Sequence, residues 1–159
     1  MDSSQNISER TAALRDLIKT NNDRTVGYQK AIKNTEDADL KSVFQRMAEQ
    51  STSNCSELEN QIGFMGDKTV EDNTTLSGKF YHAWMDVKSV FSGNSRHSIL
   101  SDCEYGEDTA LKAYNEVLDE KSLDWTISSE VIQLIQKQRA GIMKAHNEIK
   151  ALRDSSANL

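Results

Sequence analysis

Apolar residues recur at steps of three and four through most of this chain, most plainly in LSDCEYGEDTALKAYNEVL, Leu100 to Leu118. Leu100, Glu104, Glu107, Leu111, Tyr114 and Leu118 share one helical face there, which sets two carboxylates among apolar neighbours. The same period runs through Leu14, Leu17, Ile18, Tyr28, Ala31 and Ile32, with Ser8 as the expected N-cap. It returns in Leu40, Val43, Phe44, Met47, Leu58, Ile62 and Met65, where Gly66 stops it, and again in Val131, Ile135, Ile142, Ile149 and Leu152. Between Asp67 and Ser77 the chain is polar and aperiodic, and a short amphipathic stretch follows with Phe80, Ala83, Trp84, Val87 and Phe91 on one face. The pattern predicts helices over about 9–34, 38–65, 78–92, 96–119 and 129–153.

The long helices share an oddity. Asn21 and Thr25 interrupt the inward stripe of the first, and Ser51 and Asn54 interrupt that of the second, at positions where the flanks carry Met47 and Leu58. Facing one another, these midsections form a polar layer, expected to include Asn21, Tyr28, Ser51, Asn54, Tyr114 and Arg139, with the tyrosine hydroxyls finding partners inside it. A short turn near Thr35–Asp39 makes the first two helices antiparallel neighbours, and the turn at 122–128 does the same for the last two. The expected fold is therefore all-α: an antiparallel four-helix bundle with a long crossover that carries a short extra helix. That is the connectivity of the ferritin-like bundles.

Length and composition narrow the reading. The chain has 159 residues, no proline and seven glycines, which suits one domain, 1–159, of long uninterrupted helices. A net charge of −6 without any Lys/Arg cluster argues against a nucleic-acid surface. Cys55 and Cys103 have neither CxxC nor zinc-type spacing and read as small core residues in a reducing cytoplasm. The first ten residues lack an apolar signal region, and no run reaches the length of a membrane span. The expectation is a cytoplasmic protein with no transmembrane segment and no nucleic-acid partner, in which the crossover helix either caps the side of the bundle or is the surface for a protein partner or a second copy.

Four blocks carry a resemblance: GYQKA (27–31), HAWMDVKSVFSG (82–93), EYGEDTALKAY (104–114) and HNEIKALRD (146–154). In these the chain resembles bacterial ferritin-like four-helix proteins of unassigned function, distant from the rubrerythrins. The wider superfamily implies a di-metal centre built from a Glu on each of two helices and a Glu-x-x-His on each of the other two. This chain supplies little of that set. The second helix offers Ser51 and Asn54 at the corresponding positions, the fourth Met143 and His146, and the first only Asn21 or Thr25. Glu104, Glu107 and His146 are the surviving ligand types.

Folding the last two helices about residue 123 places Glu107 level with Arg139, so the expected arrangement is a Glu107–Arg139 ion pair within the polar layer. His146 then falls near Leu100, and His82 and His97 are surface residues. No nucleophile triad, phosphate loop or dinucleotide fingerprint is present. Two functions remain. The first is a non-catalytic bundle that binds or assembles, with no cofactor and, by fold analogy, a place in stress response. The second is a metal protein in which Glu104, Glu107 and His146 hold a single Fe or Zn ion with water completing the shell.

Overall fold

With no proline to break a helix, little interrupts one once it has begun. The computed structural model describes residues 3–66, 93–119 and 129–156, with side chains from residue 11 onward, and these ranges are helical almost throughout. Helix α1 spans Ser3–Asn34, α2 Ala38–Phe64, α3 Arg96–Asp119 and α4 Ser129–Ser156, and no strand occurs among the described residues. The protein is an all-α four-helix bundle. None of the described helices is long and apolar enough to cross a membrane.

Cross-helix contacts fix the directions. Asn54 Nδ2 donates to Asn21 Oδ1 (3.1 Å), and the Tyr28 and Phe44 rings lie 5.8 Å apart, so α1 and α2 are antiparallel. Tyr114 meets Gln138 while His146 meets Asp108, which makes α3 and α4 antiparallel. At the start of α3, Arg96 reaches Asp37 Oδ2 (3.0 Å) and Asp39 Oδ2 (2.7 Å) at the start of α2. Helices α2 and α3 therefore run the same way, and Gly66 and Gly93 stand at opposite ends of the bundle. Residues 67–92, where the crossover helix and His82 were expected, lie outside the described residues, as does the turn at 120–128.

Local chemistry explains the ends. Gly66 has φ +79, a left-handed conformation that glycine adopts without strain, and its N–H bonds to Gly63 O as α2 terminates. Asp37 is the extended residue before α2, with its own N–H held by Thr35 Oγ1 at 3.1 Å. The expected N-cap of α1, Ser8, instead lies in helical backbone, because nothing between Ser3 and Ser8 breaks a helix. For the same reason α4 continues past Arg153 to Ser156.

Among the described residues the core comes in two halves. One is built around Leu14, Leu17, Leu58, Leu111, Val117 and Ile135, the other around Tyr28, Leu40, Phe44, Ile99, Leu100 and Ile149. Burial of these apolar side chains drives the assembly, at about 25 cal/mol for each Å² removed from water. The polar midsections of the four helices meet between the two halves.

Candidate functional site

The middle layer is built around a charge pair with no solvent exposure. Arg24 on α1 directs Nε to Glu107 Oε1 (2.8 Å) and Nη2 to Glu107 Oε2 (3.1 Å), and both side chains are fully buried. Parallel contacts of this kind fit the planar fork of a guanidinium to the two oxygens of a carboxylate. Two further donors are also served: Nη2 reaches Gln50 Oε1 (2.8 Å) and Nη1 reaches Asn21 Oδ1 (3.3 Å). Tyr28 adds its hydroxyl to Glu107 Oε1 at 2.8 Å. Asn21, Arg24 and Tyr28 fall at i, i+3 and i+7 of α1, and Glu107 and Tyr114 are seven apart on α3, so each helix presents its polar groups along one stripe.

A hydrogen-bond chain leads on from this pair. Asn21 Nδ2 donates to Tyr114 Oη (2.8 Å), and Tyr114 donates to Gln138 Oε1 (2.6 Å). Gln138 Nε2 ends the chain on Asn54 O and Glu57 Oε1, both at 3.2 Å. Ser51 lies in the layer as well but turns its hydroxyl back to Met47 O of its own helix.

The electrostatics follow from burial. Desolvation is the largest influence on Arg24 and works against its charged form, yet the Glu107 carboxylate together with Tyr28 and Tyr114 holds the guanidinium above its ordinary value. Burial pushes the Tyr28 phenol well up, and the Glu107 charge beside it adds to the rise. Tyr114 is raised by burial too, with the Asn21 hydrogen bond opposing. Burial likewise raises the Cys103 thiol, aided by the charges of Glu107 and Asp102.

A second cluster lies at the α3–α4 rim. His146 Nε2 stands 2.8 Å from Asp108 Oδ1 and 3.6 Å from Glu104 Oε1, and one donor atom from each of the three residues lies within 4.8 Å of the others. The other Glu104 oxygen, Oε2, takes Arg153 Nη1. Asn147 Oδ1 lies 3.2 Å from His146 Nδ1.

The expected site residues thus divide. Asn21, Tyr28, Ser51, Asn54 and Tyr114 lie in the central layer. Glu104 and His146 are at the rim, and Glu107 is separated from them, because three residues along a helix turn it into the core while Asp108, four from Glu104, stays beside it. Arg139 is a correction. It is only half-buried and donates Nε to Asn115 Oδ1, and Gln138 takes the inward position. The expected register failed because the pairs Tyr114/Gln138 and Asp108/His146 centre on residues 126 and 127, not 123, which puts Glu107 closer to Ala145 than to Arg139. Arg24, Gln50 and Gln138 were missed. The signal for Arg24 is its place three residues from Asn21 and four from Tyr28, on the stripe where the sequence pattern puts the smaller Thr25 inward.

Residues 9–120 match the family model described as a domain of unknown function (DUF2383). The matched stretch carries Arg24, Gln50 and Glu107 but stops short of Gln138 and His146. No curated protein matches the chain.

Proposed function

The chain belongs to this DUF2383 family, and we propose that it is a ferritin-like bundle whose task is binding or assembly rather than metal-centred catalysis. The observation that carries this reading is the Arg24 guanidinium seated on Glu107 in the middle layer. Two antiparallel pairs with α2 and α3 parallel is an arrangement that ferritin-like bundles use, and their di-metal centres draw carboxylates and histidines inward from all four helices. Among the described residues the layer holds one fully buried carboxylate, Glu107, already paired with Arg24, with amides from Asn21, Gln50, Asn54 and Gln138. A divalent cation placed against Glu107 would stand a few ångströms from Arg24, where it and the guanidinium would repel by about 8 kcal/mol at about 4 Å and an effective dielectric of 20. The residues present do not fit a di-metal centre. A cytoplasmic, stress-associated role is the setting that fold analogy suggests.

The test is aerobic loading with Fe(II). The expected outcome is no ferroxidase activity and no iron whose retention depends on Glu107. Uptake of two irons per chain, abolished in Glu107→Ala while that variant stays folded, would overturn the reading.

A second reading is favoured by the rim cluster: Glu104, Asp108 and His146 as ligands of one Zn or Fe ion, with Asp108 in the place that Glu107 was expected to take. Imidazole and carboxylate suit either ion, and Arg153 on Glu104 Oε2 would orient the ligand from outside, as partners of metal-binding carboxylates do. Elemental analysis of protein purified without chelator decides it. Stoichiometric metal lost in both His146→Ala and Asp108→Ala supports the rim site, and no metal after reconstitution with Zn and Fe removes it.

A further inference from the structure

Helices α2 and α4 touch least of the neighbouring pairs, and along their seam lies a cleft of about 200 Å³. Its α4 wall presents Gly141 and Ala145, four residues apart, and the small side chains leave the space open. Its α2 wall presents Gln50, the residue whose carbonyl oxygen accepts Arg24 Nη2 at 2.8 Å.

That contact decides which way the Gln50 amide faces. Turning the amide over would set its NH2 against a guanidinium that has only hydrogens to offer, so the oxygen must lie inward. The nitrogen must then lie on the seam side, and a Cβ built at Gly141 would stand 3.0 Å from Nε2. Among the described residues neither hydrogen of that NH2 has an acceptor. The charges around the cleft point the same way. Arg46 is held by Glu148 at 2.6 Å, whereas Lys144 makes no ion pair among the described residues. An amide donor fixed in direction and an exposed lysine outside any described ion pair therefore line one small cleft, together with the Arg46–Glu148 pair and an apolar patch from Met47 and Ala145.

We propose that this seam binds a small aliphatic carboxylate, one oxygen accepting from Gln50 Nε2 and the other facing Lys144, with the short hydrocarbon against Met47 and Ala145. A carboxylate has two acceptor oxygens on one planar group, and the cleft has one donor residue on each wall, Gln50 on α2 and Lys144 on α4. The volume, below that of a typical drug-sized site, limits the ligand to a few carbons. Binding reaches the buried layer, because a carboxylate that accepts from the Gln50 amide polarises it and strengthens the bond its oxygen receives from Arg24. None of this depends on whether the bundle holds a metal.

The test is an NMR titration of the full chain with sodium butyrate at constant ionic strength, following the Gln50 side-chain amide. Inorganic phosphate is run as a parallel arm. Saturable shifts with butyrate are expected, weakened by about tenfold in Lys144→Gln, which corresponds to the loss of one charged contact. They should also weaken in Gly141→Ala, whose methyl group pushes the amide aside; alanine is the better helix former, so this variant is expected to fold. A non-saturating response, or equal affinity in wild type and Gly141→Ala, overturns the site. Saturable binding of phosphate in the absence of butyrate binding overturns the carboxylate assignment.

Discussion

Arg24 and Glu107 face each other across α1 and α3 with two hydrogen bonds and no solvent, 83 residues apart in the chain. Removing either partner leaves the other buried and uncompensated. Arg24→Met or Glu107→Leu is expected to lower stability by about 3–5 kcal/mol. The double variant should be less destabilised than the sum of the two by about 2 kcal/mol, since it strands no charge. Denaturant unfolding of the four proteins measures this, and strict additivity would mean that the pair is not coupled.

The fourth helix offers a direct check on register. Gln138→Leu deprives the Tyr114 hydroxyl of its acceptor inside the core and should cost about 1–3 kcal/mol. Arg139→Met removes a half-buried contact to Asn115 and should change stability by no more than about 1 kcal/mol. Thermal or chemical melts in which Arg139→Met is the more damaging change would restore the Glu107–Arg139 arrangement.

Alkaline pH probes the buried tyrosines. Tyr28 and Tyr114 keep their protons above the ordinary value of 10.0, whereas the unfolded chain gives them up near it. The native state then binds more protons than the unfolded state, so this stabilisation is complete below pH 10 and is lost as pH rises further, towards the folded values. Denaturation midpoints should fall above pH 10, and the fall should shrink in Tyr28→Phe. Absorbance at 295 nm should show the phenolate signals of these two residues appearing only with unfolding.

Cys103 should be inert in the folded protein. It is fully buried, and burial together with the Glu107 and Asp102 charges raises its thiol, so little thiolate forms at pH 8. Mass spectrometry after brief iodoacetamide treatment is expected to find Cys103 unmodified natively and modified in denaturant. Rapid native labelling would show that the α3 core opens readily.

The helical period, the missing proline and the polar breaks at Asn21, Ser51 and Asn54 were local features, and they were enough to make the fold class and the existence of a polar layer legible. Helix formation and amphipathic burial depend on residues three and four apart, which a single sequence displays directly. What it could not display was the rotation and register of helices far apart in the chain. Glu107 was legibly inward, but whether it met Arg139 or Arg24 turned on the offset of α3 against α4 and on the placement of α1. Asp108 rather than Glu107 joined Glu104 and His146 because one residue step rotates a side chain by about 100° around the helix. Three-dimensional packing therefore chose the cation at the centre of the bundle: a guanidinium that can satisfy both oxygens of Glu107 while Gln50 and Asn21 accept two of its three other hydrogens.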